Sequence, residues 1–337
     1  MISRAAALYL VRRLVLYVAT FFAAAAVNFV IPRLIPGDPI RTLLVQMEQQ
    51  GRTIPGGEDL VKIYRQRFGL DGDLFTQFVN YFARLLQGDL GFSIMAFPST
   101  VQELVGKAIP WTIGLLSVTV LLSWGLGNLL GAFIGWRRGS KVDAALTSVC
   151  LFLSQIPYYF FALILIFLFA YMLPIFPAKG AYGYTKIMSF SLDFAIDVLY
   201  HSILPSLSIL VVSLGGWMIT MRSMIVGVLG EDYLKLAEAK GLKKNKILMG
   251  YALRNALLPQ VTGLAMSLGF IVSGAMLTEI IFAYPGVGAL MYDALGRLDY
   301  PLLQGILLII IGAVLSANLL IDFLYPLVDP RVGYKGG

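Results

Sequence analysis

The sequence predicts an all-α polytopic membrane protein, and three observations support this prediction. Of the 337 residues, 58% are hydrophobic and only 13% are charged, which is about half the charge of an ordinary soluble domain. Six segments have roughly the 20 apolar residues that cross a bilayer core about 30 Å thick. None of the six contains Lys, Arg, Asp or Glu. This composition excludes a water-soluble globular fold and a disordered chain.

The six predicted transmembrane helices are spread along the whole chain. They cover residues 14–32, 108–136, 144–178, 198–221, 255–278 and 300–321. The first also has the composition of a secretory signal peptide, because Arg12 and Arg13 precede an apolar run rich in alanine. We interpret it as a true first span.

Charge predicts the orientation. Fifteen Lys and Arg residues flank the spans on the side of the two termini, against three in the short loops opposite. Because short cytoplasmic loops are enriched in basic residues, both termini are predicted to be cytoplasmic. The loop 33–107 carries eight basic and eight acidic residues and is long enough to cross regardless of charge. We expect it to be a helical extracytoplasmic insertion, with helices at 60–68 and 74–86 that lie outside the bilayer.

This gives a division into three parts. Residues 1–32 form a cytoplasmic segment and the first helix, 33–107 form the extracytoplasmic subdomain, and 108–337 form a five-helix core with a cytoplasmic loop at 222–254. The chain has a single cysteine, Cys150, and a single histidine, His201. Neither a metal cluster nor a Ser-His-Asp triad can be built from these residues, so we expect no catalytic or metal site.

The loop 222–254 is the most informative stretch. Acidic Glu231 and Asp232 begin a predicted ten-residue helix, and Lys240 ends it before Gly241, as expected for the helix dipole and a left-handed cap. Tyr233, Leu236, Ala237 and Lys240 share one face at helical spacing. So short a helix is marginal alone in water. The face formed by these four residues therefore rests either on the chain's own membrane domain or in a groove of a cytoplasmic partner, and periodicity does not decide between the two.

The stretch resembles the "EAA" loop of binding-protein-dependent ABC importers, in the version of the dipeptide/oligopeptide/opine/nickel permease family. That version reads E-D-Y, A-x-A-K-G-L and A-L-R-N-A-L-x-P, and the corresponding residues here are 231–233, 237–242 and 252–259. The general importer pattern has Glu-Ala-Ala where this chain has Lys235-Leu236-Ala237. Further matches in the expected order are Arg12-Arg13-Leu14, Pro36-Gly37-Asp38-Pro39, 86–91, 278–282, Pro285-Gly286-Val287-Gly288, Asp299-Tyr300-Pro301 and 327–331.

The resemblance implies a type I ABC importer permease fold and a set of partners. These are a second homologous permease subunit, two ATPase subunits and an extracytoplasmic solute-binding protein, in addition to the lipid bilayer; no nucleic acid is expected. The chain has no G-x-x-x-x-G-K-[ST] loop, so it cannot cradle ATP phosphates. No cofactor is therefore expected on this chain, and ATP and Mg²⁺ are expected on the partner ATPase subunits.

The resemblance also implies site residues. The ATPase-coupling loop comprises Glu231, Asp232, Tyr233, Leu236, Ala237, Ala239, Lys240, Gly241, Arg254 and Asn255. Leu236 and Ala237 are expected to pack in the ATPase groove, Gly241 to cap the helix, and Arg254 and Asn255 to anchor the next helix. An outer gate or binding-protein contact is expected at Glu279, Pro285, Gly286 and Gly288.

Other patterns leave alternatives open. Gly127, Gly131 and Gly135 predict a close helix contact, either a moving or a static one. Glu279 and Asp322 follow the fifth and sixth spans, where we expect water or lipid headgroups nearby. The stretch 214–224 departs from peptide permeases and is similar to that of members carrying oligosaccharides, so short oligopeptides and oligosaccharides both remain candidate solutes.

Two other function classes compete with the importer. An ion-coupled secondary transporter normally needs buried ionisable relays or broken helices at mid-membrane, and the six segments carry no acids or bases. An intramembrane enzyme is disfavoured by one His, one Cys and the lack of a G-x-S-x-G elbow.

Overall fold

The computed structural model describes residues 4–34, 37–49 and 57–328, and every regular element in these ranges is a helix. The helices are α1 (Arg4–Leu34), α2 (Pro39–Gln49), α3 (Gly57–Arg67), α4 (Leu74–Leu86), α5 (Val101–Trp136), α6 (Lys141–Gln155), α7 (Tyr158–Ile166), α8 (Leu192–Val228), α9 (Asp232–Ala239), α10 (Lys244–Ile247), α11 (Leu253–Phe270), α12 (Met276–Ile281), α13 (Val287–Gly296) and α14 (Tyr300–Val328). Two π-helical turns, Phe167–Met172 and Leu248–Ala252, follow α7 and precede α11. The all-α prediction is confirmed.

Four of the described helices are long and apolar enough to cross a membrane. They are Val11–Leu34, Val101–Trp136, Leu192–Val228 and Tyr300–Leu319. A fifth crossing results if the pair Lys141–Gln155 and Tyr158–Met172, bent by 92°, counts as one span. The bend falls at Pro157, which forces the preceding Ile156 into an extended conformation and so ends α6.

The segment predicted as a span at 255–278 is not one continuous helix. α11 ends at Phe270, a 3₁₀ turn occupies Ile271–Ser273, and Gly274 adopts a φ of +76° before α12 starts. Apolar composition alone cannot reveal this break, because Gly274 and its neighbours are as hydrophobic as the helices on either side. The predicted count of six helical spans is therefore not reproduced by helix length and composition.

The longest helices, α5 and α8, approach each other at the three glycines of α5. A Cβ on Gly131 would lie 2.3 Å from the carbonyl oxygen of Met218, and one on Gly127 would lie 2.6 Å from Cβ of Trp217. A Cβ on Gly135 would also meet α8, at 2.9 Å. Backbones this close leave no room for any side chain between them. The predicted close contact is confirmed, and its partner is α8.

The subdomain between α1 and α5 has a small core of its own, built on Ile40, Phe68 and Ile94. The predicted helices at 60–68 and 74–86 appear as α3 and α4, whereas α2 was not expected. Its signal is Asp38-Pro39: the Asp38 carboxylate accepts the N–H of Ile40 at 3.0 Å, and proline is favourable at the first helical position.

Asp299 joins this subdomain to the membrane domain. Its buried carboxylate accepts hydrogen bonds from Ser93 Oγ at 2.5 Å and from the N–H of Met95 at 3.1 Å. The other carboxylate oxygen accepts the N–H of Leu302 in the first turn of α14. One side chain therefore fixes the start of the last long helix against the subdomain.

Candidate functional site

The loop between α8 and α11 contains a capped helix where the sequence predicts one. Glu231 is its N-cap residue and α9 covers Asp232–Ala239, two residues shorter than predicted. At the other end the N–H of Gly241 donates to the carbonyl of Glu238 at 2.8 Å, and the N–H of Leu242 donates to that of Ala237 at 3.4 Å. This is a Schellman cap, and Gly241 has the left-handed φ of +72° that it requires. The capping role predicted for Gly241 is confirmed.

One face of α9 rests on the membrane domain of its own chain. Leu234 and Ala237 are buried, and they belong to a hydrophobic cluster that includes Ile225 of α8 and Ala252 and Ala256 around the start of α11. Of the two placements that periodicity left open, this face of α9 has the one on the chain's own membrane domain. Ala237, which the resemblance places in the ATPase groove together with Leu236, therefore packs within the chain beside Leu234.

The opposite face of α9 is open. Leu236 is 57% exposed, although it is a large apolar residue on a helix that is otherwise charged on this side. The other loop residues expected at the site that are also exposed are Glu231, Asp232, Ala239, Lys240 and Gly241. Tyr233 lies between the two faces, and its buried hydroxyl has no hydrogen-bond partner among the described residues. The exposed face has the composition of a contact surface, with an apolar residue inside a charged rim.

Arg254 and Asn255 do not anchor α11 through contacts within this chain. Both side chains are exposed at the start of α11, and neither forms a hydrogen bond or ion pair with any described residue. The anchors of α11 are instead the buried apolar side chains of Leu253 and Ala256. The expectation that Arg254 and Asn255 hold the following helix is wrong for contacts inside this chain.

An ion pair between a buried acid and a partly exposed arginine, close to this loop, was missed by the sequence analysis. Arg222 donates to both carboxylate oxygens of Asp143, from Nε at 2.5 Å and from Nη2 at 2.8 Å. The N–H of Gly139 and the hydroxyl of Thr147 also donate to this carboxylate. The pair joins the first turn of α6 to the last part of α8, ten residues before the start of α9. Its only sequence signal is a lone acid after a basic run, which is too common to interpret.

At the other end of α5 the structure buries Glu279, contrary to the expectation of a solvated helix end. Its Oε1 accepts the hydroxyl of Thr112 at 2.9 Å, and its Oε2 accepts the N–H of Ala289 at 3.0 Å. Thr112 in turn accepts the N–H of Val287 at 2.8 Å. The carboxylate therefore satisfies the N–H of Ala289 in the first turn of α13, where a negative charge is favourable, and Thr112 satisfies that of Val287. These bonds join α5, α12 and α13.

Two glycines provide the space for this carboxylate. A Cβ on Gly286 would lie 2.4 Å from Cδ of Glu279, and one on Gly288 would lie 2.6 Å from Cα of Met276. Of the four residues expected at an outer gate or binding-protein contact, Glu279, Gly286 and Gly288 are buried and only Pro285 is exposed. The three buried residues hold the turn together and present no surface to a partner.

Pro285 borders a large cavity beside the first halves of α5 and α8. The cavity has a volume of about 1500 Å³ and is lined mainly by apolar residues of α5, of 188–199 and of α13. A second cavity of about 590 Å³ continues along α5 and α8. Trp111 lines both, and its ring packs edge-on against Tyr284, 6.0 Å between centroids. The second cavity falls within the range of about 300–1,000 Å³ that is typical of small-molecule sites, and the first is larger.

Among the described residues, no group of three or more His, Cys, Asp or Glu side chains could hold a metal ion. The side chain of Asp322 lies outside the described part of the chain, as do Pro36 and residues 329–331 of the matched sequence patterns.

Comparison with known proteins bears on this arrangement. Residues 127–334 match the family described as binding-protein-dependent transport system inner membrane component. The chain is 32% identical, over 97% of its length and 99% of the relative's, to the di/tripeptide transport system permease protein DppB of Pseudomonas aeruginosa. It is 30% identical to the oligopeptide transport system permease protein AppB of Bacillus subtilis, over 97% of this chain and 100% of the relative. It is 34% identical, over 96% of both chains, to the probable D,D-dipeptide transport system permease protein DdpB of Escherichia coli.

Proposed function

The chain belongs to the family of binding-protein-dependent transport system inner membrane components, which are permease subunits of ABC importers, and from this premise we propose that it carries short peptides. The relatives named above are peptide permeases matched over nearly their full length. Oligosaccharides, suggested by the stretch 214–224, have no counterpart among these relatives. The ATP that drives transport is hydrolysed by two partner ATPase subunits, and a second permease subunit completes the pathway.

The observation that supports the coupling role is the two-sided nature of α9. One face is held on the chain's own apolar cluster through Leu234 and Ala237, and the other exposes Leu236. A groove on an ATPase subunit that takes up the Leu236 face moves α9 as a rigid body. Because α8 precedes α9 directly and is in backbone contact with α5 at Gly131, the displacement reaches the opposite end of both long helices.

Contacts at the two ends of α5 support six membrane crossings. The segment before α11 packs on Ala132, whereas Glu279, after α11, binds Thr112. Thr112 and Ala132 are about 30 Å apart along a helix at 1.5 Å per residue, which is the thickness of the bilayer core. α11 and the turn after it therefore connect the two sides of the membrane. Counted with the bent α6–α7 pair, this makes six spans and puts both termini on the same side, which in this proposal is the cytoplasmic side because the basic loops lie there.

The cavity at the first half of α5 and α8 is the entrance for the solute in this proposal. It lies at the extracytoplasmic end of both helices, where a solute-binding protein delivers its cargo. The edge-on pair of Trp111 and Tyr284 stands beside it, and Tyr284 also contacts Ser202 of α8 through a 3.1 Å hydrogen bond. A shift of α8 relative to the turn between α12 and α13 changes the contact between Trp111 and Tyr284 first. In this proposal the turn, which Glu279 holds in place, is the fixed part of an outer gate.

The coupling proposal is tested with the complete importer in proteoliposomes, by measuring ATP hydrolysis stimulated by the solute-binding protein. Leu236→Glu places a charge in the proposed groove while leaving the buried face of α9 untouched. We expect the ATPase subunits to dissociate during purification and stimulated hydrolysis to fall at least tenfold.

Ile63→Glu is the matched control, because Ile63 is an apolar residue of similar exposure, 53%, on the extracytoplasmic helix α3. This variant should keep its ATPase subunits. If Leu236→Glu retains full ATPase binding and stimulation, α9 is not the coupling helix.

The solute is tested separately, with unlabelled competitors in an uptake assay. Peptides of two to five residues should abolish uptake of a labelled dipeptide, and oligosaccharides of similar mass should leave it unchanged. Competition by oligosaccharides alone would overturn the peptide assignment without affecting the coupling role of α9.

Membrane topology is tested with a membrane-impermeant maleimide on intact cells, in a Cys150→Ala background. Asp71→Cys in the subdomain should be labelled, and Glu238→Cys on α9 should be labelled only after lysis. Both residues are exposed, so accessibility within the protein does not confound the comparison. Labelling of both in intact cells contradicts the proposed orientation.

A further inference from the structure

Helix α4 lies along the membrane-spanning part of α1. Phe78 packs edge-on against Phe29, with centroids 5.2 Å apart, and Phe82 stacks on Phe22 at 6.1 Å. At 1.5 Å per residue, Phe22 lies about 16 Å along the axis from Arg33, close to the end of the candidate span Val11–Leu34. A helix that touches α1 at this depth is immersed in the bilayer, rather than above it as the sequence analysis expects.

The outer face of α4 fits such an environment. No residue of this helix is buried, and its exposed side chains include Leu74, Phe75, Val79 and Leu86, of which Phe75 is 73% exposed. On a water-facing helix, four large apolar side chains form an unfavourable patch. In contact with acyl chains they need no further partner, as in helices that lie in the membrane interface.

On its other side α4 borders a small cavity between the end of α1 and the start of α14. Its volume is about 60 Å³, and two arginines, Arg33 and Arg84, line it. At the roughly 10–15 Å³ that one water requires, this space of about 60 Å³ holds about four to six waters. It therefore accepts a tetrahedral anion of a few heavy atoms and excludes a peptide.

The positive charge in this cavity is not compensated by ion pairs in the described part of the chain. Arg33 donates to the side-chain oxygen of Gln77 and to the carbonyl of Phe29, and both acceptors are neutral. The guanidinium of Arg84 forms no hydrogen bond or ion pair with any described residue. One acid, Asp89, also lines the cavity and accepts the N–H of Gly91, so the cavity keeps a net positive charge.

We propose that this cavity binds the phosphate group of a membrane phospholipid, whose acyl chains lie against the exposed face of α4. Guanidinium groups bind phosphate oxygens through paired, charge-assisted hydrogen bonds. Inorganic phosphate shares this chemistry. The depth of α4 along α1 and its apolar outer face favour the lipid, because a free anion would use neither. The bound lipid fastens α4, and with it the subdomain, to α1 and α14.

The first test measures lipid retention by the full chain purified in detergent. Native mass spectrometry counts the phospholipid molecules that stay bound after delipidation, for wild type, Arg84→Gln and Arg84→Glu. We expect one retained phospholipid in wild type, with its apparent affinity lowered at least tenfold in Arg84→Gln and lost in Arg84→Glu. Arg41→Gln is the control, because Arg41 is an exposed arginine of the same subdomain outside the cavity. Equal retention in all four chains overturns the proposal.

The second test distinguishes the two sources of phosphate. A short-chain phosphatidylglycerol and inorganic phosphate are each titrated into the delipidated chain, with melting temperature as the readout. The phospholipid should raise the melting temperature of wild type and not that of Arg84→Gln, and inorganic phosphate at millimolar concentration should do neither. An equal rise with both ligands means that the cavity binds a free anion, and the lipid assignment fails.

The third test reports the depth of α4. An environment-sensitive fluorophore on Phe75→Cys, in the Cys150→Ala background in liposomes, should be quenched by spin-labelled lipid acyl chains. The same fluorophore on Asp71→Cys should not be quenched. Absence of quenching at position 75 removes the helix from the bilayer and contradicts the proposal.

Discussion

The two ends of the α5–α8 pair are held by different kinds of contact. At the α9 end the contacts are apolar: Leu234 and Ala237 lie on a hydrophobic cluster, and the polar side chains point away from it. At the other end, a buried carboxylate, Glu279, joins three helices through hydrogen bonds to Thr112 and to the backbone of α13. One end exposes a contact face, and the other encloses its functional groups.

The difference follows from how each kind of contact responds to displacement. Apolar contacts are non-directional, so a helix held by Leu234 and Ala237 can be pushed or pulled without losing the contact at once. Hydrogen bonds to a buried carboxylate weaken steeply with angle and leave an unsatisfied charge when broken. The α9 end is therefore suited to receive movement, and the Glu279 end to resist it.

The largest expected effect on stability is at the Glu279 end of the α5–α8 pair. Gly286→Ala puts a methyl group 2.4 Å from Cδ of Glu279, so the carboxylate must leave its hydrogen bonds or α13 must shift. We expect a loss of about 3 kcal/mol or more of stability, combining overpacking with broken hydrogen bonds. Thermal unfolding of the purified chain measures it. Gly296→Ala at the end of the same helix meets open space and should be neutral or slightly stabilising. Equal melting temperatures for the two variants would contradict the idea that the Glu279 end resists displacement.

A smaller effect is expected where α6 is fastened to α8. Asp143→Asn removes the charge that faces Arg222 and should cost about 2 kcal/mol, less than for a fully buried pair because Arg222 is partly exposed. Asp193→Asn is the comparison, since its ion pair with Lys186 is exposed and should contribute less than about 0.5 kcal/mol. Thermal unfolding in low and high salt separates the two. An equal loss of stability in both variants contradicts the idea that burial makes the Asp143 ion pair important.

At the α9 end a glycine change should cost less than at Gly286. Gly241→Ala meets nothing within 4 Å but forces an alanine to a φ of +72°, which costs about 1–2 kcal/mol. Fraying of α9 should lower stimulated ATP hydrolysis more than it lowers the melting temperature. Gly230→Ala, also in open space but without a positive φ, serves as the control and should retain both properties. Unchanged hydrolysis in Gly241→Ala contradicts a role for the cap.

The smallest effect concerns pH and the start of the subdomain. Partial burial raises the pKa of the Asp38 carboxyl, but hydrogen bonds from Arg65 and the N–H groups of Ile40 and Arg41 hold that pKa below its usual range. The ion pair therefore adds stability above the unfolded pKa of about 4, and this contribution is lost as pH falls through the lower folded value. We expect less than about 1 kcal/mol, because both side chains are partly exposed. Arg65→Gln should lower the melting temperature more at pH 7 than at pH 3; an equal shift at both pH values argues against this linkage.

Local rules predicted the parts of the site that depend on a few neighbouring residues. Gly241 after a short amphipathic helix predicts a left-handed cap, and the cap is present. Gly127, Gly131 and Gly135 predict a close helix contact, and α8 makes it. Helical spacing grouped Ala237 with Leu236, whereas the structure buries Ala237 with Leu234, which lies three residues before it on the same face.

The role of Glu279 depends on residues far apart in the chain. Its partner Thr112 is 167 positions away, and the glycines that make room for it lie on the next helix. From the sequence alone, an acid at the end of an apolar segment is expected to be solvated, because exposure to water is the usual way to avoid the cost of burial. Only the folded chain supplies the hydrogen bonds that replace water. The same holds for Asp143, which looks like a surface acid until Arg222 is brought to it.

The sequence by itself determined that the chain is a helical membrane protein of the importer family, with a short helix before α11 that is capped at Gly241. Composition, charge bias and caps are local quantities, and a bilayer forces apolar segments into helices whatever their neighbours are. The tertiary structure decided which face of α9 is free, that Glu279 is a buried joint and that α4 lies along α1. Each of these depends on the free energy of bringing distant surfaces together, and no short stretch of sequence contains both partners.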